Sequence, residues 1–255
     1  MASSAMHMQD TSHRFDTGAA THVGRVREHN EDSYLARPDA GIWAVADGMG
    51  GLDAGELASA TVIQALDSIE APRSAAELLA WCEQRVVAAN STLYELGRRR
   101  RGLIGTTIAV LLTHERHFAC VWSGDSRIYL VRNGRIALQS RDHTEVQEMI
   151  SEGRLSPAEA RRWPGRHIVT RAIGVHTAPE LEIKDGVLQT ADAFILCSDG
   201  LTAHVEDGEI LELVVNRGAQ HACDALVDLT LSRGAADNVT VVVVRYQQVG
   251  RPGTG

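Results

Sequence analysis

Residues 239–246 read V-T-V-V-V-V-R-Y, an almost uninterrupted β-branched run that must be a buried strand. Two other stretches share its apolar character, and both run into the dipeptide Asp-Gly. Residues 42–51 read I-W-A-V-A-D-G-M-G-G, and residues 192–200 read D-A-F-I-L-C-S-D-G. A carboxylate at a strand terminus is held by the sheet behind it, while glycines let backbone carbonyls approach a ligand closely. That arrangement suits a hard cation. Asp and Gly are also ordinary β-turn formers, so taken alone these stretches leave both readings open.

In chain order, residues 17–26 read as an early strand, and residues 33–36 and 42–46 as two more. Between the first two lies the polar cluster Arg27-Glu28-His29-Asn30-Glu31-Asp32, which also suits a solvated turn. Antiparallel pairing of the second and third strands would bring Glu31 and Asp32 to Asp47. The period then becomes helical: Ala58, Val62, Ala65, Leu66 and Ile69 share one face, with Pro72 as a stop. Ser74-Ala75-Ala76-Glu77 is a capping box opening a second helix whose stripe is Leu79, Cys82, Val86, Ala89 and Leu93. Both helices read as amphipathic cover for a sheet. The run Arg98–Arg101 reads as a solvated loop, with steering of an anionic substrate as the functional alternative.

Residues 106–112, 118–122, 128–131 and 135–139 follow as strands, the last two joined by the hairpin signal Asn133-Gly134. Ser123-Gly124-Asp125-Ser126-Arg127 puts a further carboxylate at a strand end. Asp142-His143-Thr144 precedes a short helix, and Ser156-Pro157-Ala158-Glu159 is a second capping box. Residues 153–174 look like an irregular insertion lying over the sheet. Residues 206–215 and 219–233 are helical, and Asp237 precedes the valine strand.

Composition narrows the function classes. A formal net charge of −8 and a pI near 5.7 argue against a nucleic-acid binder and fit a protein that gathers carboxylates around cations. At 255 residues the chain can form one large domain or two small ones. Cys82, Cys120, Cys197 and Cys223 include no C-x-x-C pair and read as core residues in a reducing cytoplasm. No apolar run approaches the roughly 20 residues that span a bilayer. The first ten residues lack the pattern of a signal peptide and suggest a disordered lead-in or an expression scar. A soluble cytoplasmic protein is expected.

Glu31, Asp32, Asp47, Asp125, Asp199 and Asp237 thus all lie at predicted strand ends. Carboxylates placed this way suggest a site for Mg²⁺ or Mn²⁺. The histidines offer no H-E-x-x-H pair, and His143 and His167 read as structural or exposed.

The order R-x-x-N-E-D at 27–32, D-G-M-G-G at 47–51, G-T-T at 105–107, G-D-S-R at 124–127, S-D-G at 198–200 and D-N-x-T at 237–240 resembles the metal-dependent PPM-type (type 2C) protein serine/threonine phosphatases. The D-G-M-G-G variant and the stretch 146–160 look like the bacterial branch, and a weaker likeness points to phosphatases of type VI secretion control. The resemblance implies an α/β (α+β) four-layer αββα sandwich, with two central, mainly antiparallel sheets and helices on both outer faces. It implies one domain over residues 15–247, with a flap-like insertion at about 144–175, a lead-in over 1–14 and a disordered tail over 248–255. It also implies a monomer that acts on phosphorylated protein substrates, opposes a cognate Ser/Thr kinase, binds no nucleic acid and does not insert in membranes.

Carried onto this chain, the resemblance makes Asp47 the bridge between two Mn²⁺ or Mg²⁺ ions. Asp199 and Asp237 complete the first ion's protein ligands; Glu31 and the Gly48 carbonyl complete the second's. Asp32 orients metal-bound water, Asp125 helps hold a weaker third ion, and Arg27 binds the substrate phosphate. Two ions about 3.5–4 Å apart can bridge a water and lower its pKa, giving hydroxide for in-line attack on phosphorus. Eukaryotic members carry a histidine after the D-G as proposed general acid, where this chain has Met49. Two rivals are a two-metal phosphodiesterase, which needs an extended basic groove, and a pseudophosphatase binding module, which is expected to have lost a ligand.

Overall fold

The computed structural model describes residues 13–50, 54–160, 163–165 and 168–248. Among these residues the strands form two antiparallel sheets. The first contains β1 (His13–His22), β11 (Val239–Gln248), β10 (Ala193–Cys197), β7 (Arg127–Arg132) and β8 (Arg135–Leu138), in that spatial order. The second runs β2 (Asp32–Arg37), β3 (Ile42–Gly50), β5 (Ile108–His114), β6 (His117–Ser123) and β9 (Glu182–Val187), with β4 (Ile104–Thr106) paired to the end of β3.

Three apolar cores explain why the central strands are apolar on both faces. Ile42, Ala44 and Ala46 of β3 and Val110 of β5 pack under α1 (Ala54–Asp67) and α2 (Ala75–Arg100). Ile195 of β10 and Val241 and Val243 of β11 pack under α6 (Asp207–Val215) and α7 (Ala219–Ser232). The alternate residues, Trp43, Val45, Leu111, Phe194, Leu196, Val242 and Val244, fill the space between the sheets. The order helices, sheet, sheet, helices is the αββα sandwich, and period-2 alternation assigns each valine of β11 to one core or another. Each fully buried Val side chain stabilises the fold by roughly 1.5–3 kcal/mol relative to exposure.

Several expectations shift in detail. The first strand ends at His22 and begins at His13, within the expected lead-in, and β11 continues to Gln248. The rest of the expected lead-in and tail, and Gly51 and His167, lie outside the described residues. β3 continues through Asp47-Gly48-Met49-Gly50, so this D-G is extended strand and not a turn. Gly48 is required by proximity: a Cβ there would lie 1.9 Å from the Gly55 carbonyl oxygen and 2.8 Å from that of Glu31. Gly200 is the counterpart, with a Cβ 1.9 Å from the Asn238 carbonyl oxygen. Asp199 opens the short helix α5 (Asp199–Thr202) instead of closing a strand. The expected strand over 106–112 is two strands broken at Thr107, for a reason that belongs to the site.

α1 stops at Asp67, before Pro72, where Arg37 caps the Asp67 carbonyl at 2.7 Å. In α2, Leu78 is buried while Leu79 packs at the core's margin. The arginine run is no loop. Arg98, Arg99 and Arg100 form the last turn of α2, where cations complement the helix dipole, and Arg101 caps it at φ 54°. Asn133 and Gly134 turn the β7–β8 hairpin with φ of 53° and 70°. β9 was not expected. Its sequence E-I-K-D-G-V is polar because it is an edge, where exposed charge discourages further pairing. Two short helices, α3 (Glu145–Ser151) and α4 (Pro157–Ala160), lie in the expected insertion, and the Ser156–Glu159 capping box is present. Among the described residues no helix is long and apolar enough to cross a membrane.

Candidate active site

The β2–β3 register sets Asp32 opposite Asp47. Asp47 is fixed through its backbone: its N–H donates to Thr107 Oγ1 at 3.1 Å, and its carbonyl accepts from the Thr107 N–H at 2.8 Å and from Thr106 Oγ1 at 2.9 Å. These bonds interrupt the strand at Thr107. Thr107 Oγ1 also meets Ser126 Oγ at 2.7 Å, tying the turn that carries Asp125 to the same point. The G-T-T and G-D-S-R motifs are therefore the scaffold around Asp47.

Asn238 does similar work opposite. Its side chain accepts the Glu31 N–H at 2.8 Å and donates to the carbonyls of Val23 and His29, each at 2.9 Å. The loop from β1 to β2 is thereby bound to the start of β11, which places Arg27 Nη2 2.9 Å from Asp237 Oδ2. Glu31 lies against Gly55 in the first turn of α1, where the backbone N–H favours its charged form.

Arg27, Glu31, Asp47, Gly48, Asp125, Asp199 and Asp237 all line one open cleft of about 660 Å³. Asp32 does not line it. Asp32 is buried behind the wall, where its Oδ2 accepts from Ser198 Oγ at 2.8 Å and Ser198 Oγ accepts the Thr240 N–H at 3.0 Å. This chain of bonds joins the two sheets beneath the cleft. Thr107, Ser198, Asn238 and Thr240 had no role in the sequence reading, although each stands inside one of the quoted motifs. His204, also on the cleft wall, stands outside every motif; its Nε2 accepts the Ala236 N–H at 3.3 Å.

Burial pushes Asp32 up to about 7, against hydrogen bonds from Thr240 and Ser198 that pull it down, with Asp199 and Asp237 adding to the rise. Burial pushes Asp125 to about 7 as well, with help from Asp199 and Asp142. Asp47 is held well above the usual range by desolvation and then by Asp32, Asp199, Asp125 and Asp237. Glu31 is raised by desolvation, with Arg27 opposing. Without added positive charge, these groups cannot all ionise cheaply.

Two observations fit divalent cations here. The buried Asp32 Oδ1 has no hydrogen-bond partner, and the cleft concentrates carboxylates with little opposing charge beyond Arg27. Among the described residues, no three acidic, His or Cys side chains close into a ready ligand shell. Mg²⁺ and Mn²⁺ keep several waters and need only a few carboxylates each, so an open arrangement suits them.

His143 is structural. It is buried, its Nδ1 accepts the Gly124 N–H at 3.1 Å, and its N–H donates to the Gly124 carbonyl at 2.9 Å. The four cysteines are buried, and burial raises each thiol to about 12, which leaves them unreactive core residues.

Known proteins share this architecture. The profile of the family Protein phosphatase 2C matches residues 18–239. The serine/threonine protein phosphatase PstP of Mycobacterium tuberculosis is 39% identical over 224 residues, which is 86% of this chain and 43% of the relative. The chain thus spans less than half the length of that protein. The serine/threonine phosphatase stp of Listeria monocytogenes is 32% identical over 234 residues, 88% of this chain and 93% of the relative. Among solved structures, PppA of Pseudomonas aeruginosa, described as a key regulatory component of T6SS, matches with a TM-score of 0.85 at 35% identity, over 91% of this chain and 97% of that one. The catalytic domain of PstP in complex with 2 manganese ions matches at TM-score 0.84 and 35% identity, over 92% of this chain and 100% of that one. With the family profile covering most of the chain and the motif residues gathered on one cleft, the chain belongs to the protein phosphatase 2C family.

Proposed function

We propose that this chain is a metal-dependent protein serine/threonine phosphatase that hydrolyses phosphoserine and phosphothreonine in proteins. The observation that carries the reading is the meeting of five acidic side chains and Arg27 on one cleft wall. Asp47, Asp199, Asp237, Glu31 and the Gly48 carbonyl would hold two Mn²⁺ or Mg²⁺ ions, with Asp125 beside a weaker third. Such ions supply Lewis acidity and a water of lowered pKa.

The chain's own groups do the remaining work. Arg27 is exposed at the cleft mouth and the adjacent Asp237 favours its charged form, so its fork can donate to two phosphate oxygens and hold the monoester in line. In doing so it exchanges Asp237 for the substrate. Asp32, fixed by Ser198 and with its second oxygen left without a hydrogen-bond partner, would orient water held at the ions. Met49 lines the cleft and has no proton to give, so the leaving alkoxide takes its proton from water. A shallow dependence of aryl phosphate rates on leaving-group pKa is the expected sign of that assistance.

The likeness to PppA supports a setting in bacterial type VI secretion control, and a Ser/Thr kinase is the opposing enzyme in this reading. We place the protein in the cytoplasm as a monomer. The test is phosphate release from a phosphothreonine peptide with Mn²⁺ and with chelator, beside nitrophenyl monoester and diester. Metal-dependent turnover of the peptide and monoester supports the reading; turnover confined to the diester would overturn it.

A further inference from the structure

The arginine run at the end of α2 has no part in the chemistry just described. Of its four members, among the described residues, only Arg99 has a carboxylate within ion-pair distance, Glu95 at 3.3 Å. The helix dipole accounts for cations in the last turn, but three further features go unexplained by it. Arg101 adopts φ 54°, a conformation that favours Gly or Asn, although Gly102 follows directly. Leu103 is 55% exposed beside it. Arg98, Arg101 and Leu103 border an open groove of about 390 Å³, completed by Ile104, Gly174 and Val175.

This groove adjoins the cleft through a single short strand. β4 begins at Ile104, opposite Gly50, and ends at Thr106, opposite Gly48, whose neighbour is Asp47. A peptide held at the cleft by its phosphorylated residue would reach the arginines roughly three to six residues away, at about 3.3 Å per residue. Against a molecule of net charge −8, a local cluster of unpaired guanidinium groups selects short anionic segments and not long polyanions.

We infer that Arg98 and Arg101, with Leu103 in the same groove, form a docking surface for an acidic stretch of the phosphoprotein substrate, close in sequence to the phosphorylated residue. The inference rests on the phosphatase reading and adds a determinant of substrate choice. Guanidinium groups pair with Glu or Asp carboxylates, and the groove takes an apolar side chain beside them. The contribution falls on substrate binding and leaves the chemical step alone.

The test uses phosphothreonine peptides that carry Glu-Glu-Leu or Gln-Gln-Leu four residues from the phosphothreonine, on either side. The variant is Arg98→Ala with Arg101→Asn, since Asn tolerates the left-handed backbone at 101. Wild type is expected to show a KM lower by about five-fold for one acidic peptide, a size set by a pair of exposed ion contacts. The advantage should vanish in the variant and at about 1 M salt, where screening is nearly complete. Turnover of nitrophenyl phosphate and kcat on the peptides should not change. Equal KM values for acidic and neutral peptides in wild type, or an undiminished preference in the variant, would overturn the inference. Failure of every substrate to turn over with Mn²⁺ would overturn the phosphatase reading, and the inference with it.

Discussion

The inter-sheet core and the acidic cleft are built from the same strands, a few residues apart. Trp43, Val45, Val242 and Val244 are fully buried between the sheets, and Trp43 Nε1 still finds Thr17 Oγ1 at 3.1 Å. Further along β3, Asp47 meets four other carboxylates that raise its pKa. The core gains from exclusion of water. The cleft is held in an unfavourable charge state by that core and by bonds from Thr107, Asn238 and Ser198. Stability and activity should therefore separate by position along a single strand.

The largest break in that comparison is chemical. Asp47→Asn or Asp237→Asn should lower Mn²⁺-dependent phosphate release by more than about 100-fold, beyond the usual cost of losing a supporting group around a metal. The metal-free melting temperature of Asp47→Asn should stay level or rise, because a repelled carboxylate has gone. Trp43→Ala is the converse. It should cost about 3–5 kcal/mol in denaturant unfolding, with activity lost only in proportion to the unfolded fraction. Ser198→Ala removes the donor to Asp32 and should reduce activity about 10-fold, in the range for groups that orient a metal site.

A further effect is on pH. Asp32 and Asp125 are raised from an ordinary 3.8 to about 7, so the folded protein binds more protons than the unfolded chain between those values. The contribution of these groups is greatest below their unfolded pKa and is lost as pH rises through about 7. Metal-free melting temperature should fall between pH 5 and 8, measured by calorimetry in chelator, roughly as that linkage requires. Mn²⁺ should raise it more at pH 8 than at pH 5.

The same contrast explains what could be read from the sequence. Apolar runs such as 239–246 are legible because burial on both faces leaves a strong pattern, and Asp47 and Asp199 stand out against such runs. β9 left no pattern because an edge strand is solvated, and the arginine run looked like a loop because its helix ends without an apolar stripe. The D-G dipeptides suggested turns, yet Gly48 and Gly200 answer to neighbours far along the chain, Gly55 and Asn238, which composition cannot reveal. Asn238 and Ser198 were visible only as letters in motifs; their work depends on which loops the fold brings against them.

The most direct measurement is calorimetric titration of Mn²⁺ into the metal-free protein and its variants, which needs no substrate. A site bridged by Asp47 predicts two tightly bound ions in wild type, loss of both in Asp47→Asn, and loss of one in Glu31→Gln. Retention of two tight ions by Asp47→Asn would contradict the claim that this residue is the centre of the site.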